Sequence, residues 1–421
     1  MNYPVKYYHS GMPGAPILSN NWGDLVGLLD ACLVTGFNLK TINTLISAAG
    51  VATATVSSGH NYLLDQVVLI AGCDQAAYNG EQRITAITAN TFSFAVAGTP
   101  PSPATTLTAI SCKVAALGWE KPFSGTNKAA YRSSDPTSTR HYLRVDDDVK
   151  AANGFTTYAP SWAKWANVGI CENMSDIDTI TGAQAPFDPL NPTQNWKAVQ
   201  ANQWGWHIWP HAIRGGKTDD GGAGPRQWVI VGDGRTFYLS MSYAPGLTWY
   251  GRTMYCFGDP ISFKPGDAYG TMLTAEDFFG DVNFTYPGQR SGYGLVSSLD
   301  IAGKLLLRDY TQLGNPVRWG ACSLNTNNTQ QISGFGQGVP FPNGPDFSVL
   351  LAPVYIRQEN GHLRGLLPGV RWVLQDRPMS DLAVVENVTG EPGKQFLFVQ
   401  NQQGGDTNRA QLAFDITGPW R

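Results

Sequence analysis

The sequence predicts a mainly β protein: a small N-terminal β-barrel or β-sandwich module, larger β-rich domains after it, and one short N-terminal helix. Its 421 residues include 47 glycines and 27 prolines, a composition typical of many short strands joined by tight turns. Short runs of alternating apolar and polar residues recur between residues 41 and 115. A convincing helical pattern occurs once, near the N-terminus.

Changes in this patterning divide the chain into four predicted segments. Residues 1–40 form an arm and a helix, residues 41–115 the small β module, residues 116–290 a β-rich domain and residues 291–421 a C-terminal β-rich domain. In the later segments, Gly232-Asp233-Gly234 predicts a hairpin, and residues 395–399 and 412–416 are typical of strands.

The predicted helix follows Asn20 and Asn21, either of which can cap its first turn. Gly36 is placed to end it, because glycine readily adopts the left-handed conformation found after helices. Its apolar stripe consists of Leu25, Leu28, Leu29, Cys32 and Leu33. This pattern predicts one short helix with an apolar stripe.

Within the module, alternating or apolar runs at residues 51–57, 67–70, 83–88, 91–96 and 107–114 predict five or six short strands. Asn79-Gly80 predicts a hairpin with a type I′ turn, since both central residues of that turn need a positive φ. Residues 89–91 predict another turn.

Charge and segment composition exclude several functions. Charged residues make up 14 % of the chain, the net charge is −3, and no run of Lys or Arg occurs, so neither nucleic acid nor an anionic membrane is an expected partner. No signal peptide or membrane-spanning stretch is expected. The six cysteines are scattered and predict small buried apolar residues in a reducing cytosol rather than a disulfide framework.

The polar residues of the module raise the question of catalysis. A cysteine nucleophile needs a neighbouring base and a group that orients that base. Turn chemistry explains the same residues better, because Asn, Asp and Gly tolerate the conformations that loops require. The residues concerned are His60, Asp65, Cys73, Asp74 and Glu81.

Two other groups resemble metal ligands. His207 and His211 would suit zinc on a helix, but Pro210 makes a helix unfavourable there. The carboxylates of 146–148, and of Asp176 and Asp178, would suit calcium, but their spacing is that of solvated turns. The glycine-rich loop at 334–338 lacks the lysine of a phosphate-binding loop. We therefore expect no catalytic residue, no metal and no cofactor, and a chain that is not an enzyme.

Aromatic residues are the remaining candidates for contact with partners. They can form the core, anchor an interface or stack on sugars, and the sequence leaves these alternatives open. The arm and the end of the chain are also candidate docking elements. The candidate interface residues are Tyr3, Tyr7, Tyr8, Trp196, Trp204, Trp206, Trp209, Trp420 and Arg421.

The stretch 59–96 resembles a module common in tail and fibre proteins of tailed bacteriophages. The shared pattern is Gly59-His60, an apolar strand at 67–72, Asn79-Gly80, a strand at 83–88 and Thr91-Phe92-Ser93-Phe94. Outside it, GWEKPFSGTNKAAYRS (118–133), HYLRVDDD (141–148), MSDID (174–178) and FDITGPWR (414–421) resemble uncharacterised phage virion proteins.

The resemblance implies a structural component of the virion tail, at the tail tip or baseplate, assembled in the host cytoplasm. It also implies contacts with other tail proteins and a homo-oligomer, as a trimer or a ring. Two alternatives are a receptor-binding or glycan-binding tail protein, with a host surface glycan as partner, and a capsid decoration protein. A polysaccharide depolymerase would be expected to show the period of a β-helix, and none is visible.

Overall fold

A computed structural model of the chain describes residues 4–148, 164–187, 207–214, 216–220, 222–246, 252–277, 303–322, 341, 348–402 and 409–421. The predicted mainly β architecture is confirmed in this part of the chain, which forms three antiparallel sheets. None of its helices has the length and apolar character needed to cross a bilayer.

The chain begins with strand β1 (Lys6–His9) and one helical segment. Helix α1 (Asp24–Leu29) continues as a π-helical turn (Asp30–Thr35), and its predicted apolar stripe is buried. The predicted cap is wrong: Gly23 occupies the N-cap position, and the N–H groups of Gly23 and Leu25 donate to the carboxylate of Asp147 at 2.9 and 3.1 Å. A residue more than a hundred positions away thus caps this helix.

Residues 37–114 form the predicted β module. Its strands are β2 (Phe37–Ile42), β3 (Thr44–Ala48), β4 (Val51–Thr55), β5 (Val67–Ala71), β6 (Gly80–Ile87), β7 (Thr91–Ala95) and β8 (Ile110–Val114). They lie in the order β2-β8-β5-β6-β7-β4-β3. Only Asn43 separates β2 from β3, so the two end strands of the sheet follow each other directly and the sheet curls; we call this curled sheet the barrel. Its interior is apolar and contains Phe92 and Phe94.

The type I′ turn lies elsewhere than predicted. Ala49 and Gly50, both with positive φ (49° and 77°), join β3 to β4 in a two-residue hairpin. Asn79 instead has a φ of −76° and follows a 3₁₀ turn (Ala76–Tyr78). Its amide accepts from the Cys73 N–H at 3.0 Å and donates to the Cys73 carbonyl at 2.7 Å, so it brackets an eight-residue connection.

A second sheet follows the barrel. Its strands are β9 (Glu120–Gly125), β10 (Lys128–Arg132), β11 (Tyr142–Asp146), β12 (Lys164–Met174), β13 (Ile180–Ala185), β14 (His207–Arg214) and β15 (Gly216–Asp220). Six of them lie in the order β15-β14-β12-β11-β10-β9, and β13 pairs with β12. Its buried face joins the barrel and α1 in one large apolar core.

The third sheet has thirteen strands within the described residues. After β1 it contains β16 (Trp228–Gly232), β17 (Thr236–Ser242), β18 (Arg252–Gly258), β19 (Ile261–Ser262), β20 (Met272–Thr274), β22 (Lys304–Leu306), β23 (Val317–Cys322), β24 (Leu351–Gln358), β25 (Leu363–Val373), β26 (Ala383–Glu386), β27 (Gln395–Gln402) and β28 (Arg409–Asp415). Strand β21 (Glu276–Asp277) pairs with β14 of the second sheet. The predicted hairpin at 232–234 and the two predicted C-terminal strands are confirmed.

The third sheet runs across the predicted boundary at residues 290 and 291. Strands β18 and β20 precede that position and β22 to β24 follow it, yet all pair in sequence within one sheet. The N-terminal arm is also part of this sheet, because β1 pairs with β16. Val5 and Trp420 share one apolar cluster, so both terminal segments pack on the same body of the molecule.

Candidate functional site

His60, the candidate base of the barrel, is a structural residue. Its side chain is buried, with Nε2 at 2.8 and 3.0 Å from the carbonyls of Thr88 and Thr91. Nδ1 accepts a hydrogen bond from the Tyr62 N–H at 2.9 Å. Both nitrogens are therefore engaged by backbone, and the ring fastens its own loop to the turn between β6 and β7.

The other polar residues of the module lie apart from His60. Glu81 forms an ion pair with Lys6 at 2.8 Å, and Asp74 accepts a hydrogen bond from the Thr105 hydroxyl at 2.7 Å. Burial and the nearby Asp74 carboxylate raise the pKa of Cys73, which disfavours the reactive thiolate. These contacts support the turn interpretation over the catalytic one.

His207 and His211 lie on strand β14 rather than on a helix. Four residues along a strand separate them by about 13 Å, too far for one metal ion. Nε2 of His211 lies 2.9 Å from the Asp147 carboxylate, and both side chains are fully buried. The described residues contain no cluster of three His, Cys, Asp or Glu side chains that could hold a metal.

The expectation of solvated turns is wrong for part of the acidic run at 146–148. Asp146 and Asp147 are buried. The Asp146 carboxylate lies 3.5 Å from the Arg144 guanidinium, and the Asp147 carboxylate caps helix α1. The expectation is correct for Asp176, which is exposed and accepts hydrogen bonds from the N–H groups of Asp178 and Thr179. Burial thus separates two acidic groups that look alike in the sequence.

The candidate interface residues are mostly internal where the structure describes them. Trp209 is fully buried, stacks on Tyr255 at 5.9 Å and donates to the Thr274 carbonyl at 2.8 Å. Tyr8 is buried and Tyr7 half-buried, since both belong to the paired strand β1. This placement favours the core interpretation for them. Tyr3, Trp196, Trp204, Trp206 and the loop at 334–338 lie outside the described residues.

The C-terminal residues are docked on their own chain. Trp420 is 7 % exposed, donates to the Asp415 carbonyl at 2.8 Å and packs edge-on against Tyr238. The guanidinium of Arg421 donates to Asp233 at 2.8 Å and to the Thr236 hydroxyl at 2.7 Å. An intermolecular docking role for them stays a prediction.

A pocket that the sequence did not indicate lies next to Arg421. It has a volume of about 690 Å³ and is lined by residues within the segments 137–141 and 259–270, together with Arg235 and Arg421. The first segment links β10 to β11, and the second contains β19 and leads to β20. The pocket therefore lies where the second and third sheets meet.

A chain of hydrogen bonds crosses one wall of this pocket. The Thr139 hydroxyl donates to Asp259 at 2.6 Å and lies 2.7 Å from the Thr271 hydroxyl, which must then donate to Thr139. Thr271 in turn lies 2.7 Å from Nδ1 of His141, so Nδ1 is the donor. Burial lowers the pKa of His141, against the opposing effect of Asp259 and Glu172. The neutral ring therefore keeps Nε2 as an acceptor.

Tyr269 covers the imidazole of His141. Their ring centroids are 5.7 Å apart and the planes nearly parallel, at 22°. The Tyr269 hydroxyl donates to Glu172 at 2.9 Å, and the Arg308 guanidinium lies 4.7 Å from the centroid of the same ring. This arrangement fixes the orientation of the histidine and gives the pocket an aromatic wall.

The charged groups around the pocket are paired with one another. Asp267 accepts two hydrogen bonds from Arg364, at 2.6 and 2.7 Å, in a buried bidentate pair. Burial raises the pKa of Asp267, but Arg364 and the Ser262 hydroxyl outweigh it, so the net pKa is lowered. Asp259 pairs with Arg235 at 3.2 Å.

Sequence reasoning missed this pocket because its residues come from distant segments. Hydrogen bonds such as that between Asp259 and Thr139 join residues more than a hundred positions apart. The one sequence signal is the Asp, Ser and Pro content of the loops at 133–141 and 259–270, which predicts turns but not that the two loops lie together.

Comparisons with known proteins add little to this geometry. No protein-family model matches the chain, and no curated protein matches it either. Among solved structures, one match is described as the phage phi92 endosialidase, at 10 % identity and a TM-score of 0.16. It covers 89 % of this chain and 51 % of that one, so this chain spans about half the length of the other. A TM-score this low carries no argument.

Proposed function

We propose that the protein is a structural component of a tailed-phage virion, located in the tail at its tip or baseplate. It acts through protein–protein contacts in a symmetric assembly and not as an enzyme. The proposal is supported by the resemblance of residues 59–96 to phage tail modules and by one surface of the barrel, described next.

The barrel presents an uncharged outer face. Strands β3, β4 and β7 place nine side chains on it in three cross-strand rows, and none of them is charged. The rows are Thr44-Thr55-Thr91, Ile46-Thr53-Ser93 and Ala48-Val51-Ala95. Ile46 and Val51 are 52 % and 46 % exposed. Solvated sheet faces usually carry charged side chains, so a face of this kind is suited to contact with protein.

A second copy of the chain is the partner we assign to this face. Two identical faces with net charge would repel each other across a symmetric contact, and this face has no such penalty. The backbone edge of β3 is already occupied, since Ser47 N–H donates to the Ser102 hydroxyl and Ala104 N–H to the Leu45 carbonyl. Association therefore uses the side chains of the face rather than strand addition.

The mass of the purified protein in solution tests the self-association. We expect an oligomer that Ile46→Lys dissociates, because the substitution puts a charge in the middle of the contact. Leu313→Lys is the matched control, since Leu313 is 71 % exposed and lies far from the barrel in sequence. A wild-type monomer, or an oligomer that both variants leave intact, would contradict the assignment.

Antibody labelling of purified particles tests the tail location. Label at the tail end supports the proposal, and absence of the chain from particles would contradict it. Label spread over the head would favour the capsid decoration alternative instead. The glycan-binding alternative is separate, because it concerns a ligand rather than a location.

A further inference from the structure

Strands β24 and β25 and the chain after β19 leave apolar side chains exposed on the outer face of the third sheet. Phe263 and Leu363 are 51 % and 41 % exposed. The ring centroids of Phe263 and the half-buried Tyr355 are 6.4 Å apart, and Arg357 pairs directly with Leu363. On β24, Tyr355 and Arg357 alternate with the buried core residue Ile356, so their side chains point away from the core.

Two arginines lie on this outer face, on neighbouring strands. Arg357 on β24 pairs with Gly320 on β23, and the Glu359 N–H donates to the Arg318 carbonyl, so Arg318 and Arg357 are diagonal neighbours. Residues in that relation lie about 7–8 Å apart. Both arginine side chains are exposed. We call these two arginines, together with Phe263, Tyr355 and Leu363, the arginine face.

Within the described residues, neither guanidinium of the arginine face takes part in an ion pair. Glu359 lies opposite Arg318, but its carboxylate accepts a hydrogen bond from the Arg318 backbone N–H at 3.4 Å. Partly exposed arginines elsewhere are different, since Arg132 pairs with Glu120 at 2.8 Å and Arg371 with Glu391 at 3.1 Å. The arginine face therefore presents two charges to solvent without a carboxylate to balance them at short range.

This combination of side chains suits a protein partner that carries carboxylates. Arginine and aromatic residues are enriched where proteins bind one another. A guanidinium binds a carboxylate through two parallel hydrogen bonds, which gives both energy and orientation. Nucleic acid is a poorer match, because two cations neutralise few phosphates and the net charge of the chain is −3.

We propose that the arginine face binds an acidic, partly apolar surface of another protein. Carboxylates of that partner pair with Arg318 and Arg357, and its apolar side chains pack against Phe263 and Leu363. The arginine face shares no residue with the uncharged face of the barrel. The proposal therefore adds a contact with a different protein and does not depend on the self-association.

Selection from a library of short random peptides, with the immobilised full chain as bait, tests the proposal. We expect a set of peptides that the wild type retains and Arg357→Glu does not, enriched in Asp and Glu with apolar residues between them. Fluorescence anisotropy then measures the affinity of the most enriched peptide of this set. Arg357→Glu should weaken its binding about tenfold, because repulsion replaces attraction, and higher salt should weaken it in the wild type. Phe263→Ala should weaken it about threefold or more, through lost packing.

Lys40→Glu is the matched control, because it makes the same change in net charge on strand β2 of the barrel. Its affinity for the peptide should equal that of the wild type. The proposal fails if no retained peptide depends on Arg357, or if the dependent peptides are not acidic. It also fails if Arg357→Glu changes the oligomer mass, since the arginine face would then bind a second copy. A wild-type monomer would contradict the self-association alone and would leave the peptide result unaffected.

Discussion

The barrel and the polar pocket bury polar side chains in opposite ways. In the barrel, His60 and Asn79 bond to backbone groups within about thirty residues of themselves, and they hold single loops in place. At the pocket, Asp259 and Asp267 join segments that lie roughly a hundred or more residues away. Local polar contacts shape one element. Of the distant ones, Asp259 with Thr139 fastens the second sheet to the third, and Asp267 with Arg364 joins two distant segments of the third sheet.

The largest loss of stability is expected where a contact between distant segments is fully buried. Asp147→Ala removes the cap of helix α1 and the partner of His211, and it leaves those groups buried without replacement. We expect a loss of about 3–5 kcal/mol in the free energy of unfolding, measured by urea denaturation. Asp176→Ala is the control, since Asp176 also accepts two backbone N–H groups but is exposed. Equal losses of unfolding free energy for the two variants would show that the buried distant contact stabilises the fold no more than the exposed local one.

The next largest loss of stability is expected from a substitution inside the barrel. His60→Ala leaves the carbonyls of Thr88 and Thr91 without their buried donor and opens a cavity beside Phe92. We expect about 2–4 kcal/mol of destabilisation, with faster hydrogen exchange confined to the barrel. Exchange that rises equally in the third sheet would show that the barrel is not a separate unit of stability.

A smaller effect is expected at the bracketed connection. Asn79→Ala removes the two hydrogen bonds to Cys73 and should cost about 1–2 kcal/mol. Thermal denaturation measures this loss of unfolding free energy. Asn90→Ala, at an exposed turn of the same barrel, should lose clearly less. A result in the reverse order would mean that the tip between β6 and β7 limits the stability of the barrel.

The smallest effect is a pH dependence at the pocket. Burial lowers the pKa of His141 from its ordinary value of about 6.5. As the pH falls below that value, the unfolded chain binds a proton that the folded chain does not, so stability is lost. Wild type should therefore lose more unfolding free energy between pH 7 and pH 5 than His141→Gln does. Identical pH slopes would show that the folded protein does not hold this ring neutral.

The sequence predicted the features that depend on neighbours along the chain. Strands β4 to β8 of the barrel, the stripe of α1 and the hairpin at 232–234 follow from local periodicity and turn chemistry, and the structure confirms them. Strands β2 and β3 were not predicted. The position of the type I′ turn was wrong, because Ala49-Gly50 is a weaker local signal than Asn79-Gly80. Local preference indicates that a turn is favourable, but strand register decides where it falls.

Contacts between distant segments, including those at the pocket, could not be predicted in the same way. Asp147 and Asp176 are both acidic residues at turns, yet only the first meets a helix and a histidine from elsewhere. Similarly, Asp267 and Arg364 carry no mutual signal until β19 pairs with β25. Such contacts depend on the arrangement of whole sheets, which a periodicity of two or 3.6 residues does not encode.

The pairing of β1 with β16 affects the order in which the chain can fold. Strand β1 leaves the ribosome well before its partner Val229–Gly232, which is made more than two hundred residues later. Val5 also lies against Gly418 and shares an apolar cluster with Trp420, and both of these residues are made later than β16. The barrel has its strands complete by Val114 and can close early, during synthesis. We therefore expect strand β1 to stay unpaired until its partner β16 has been synthesised.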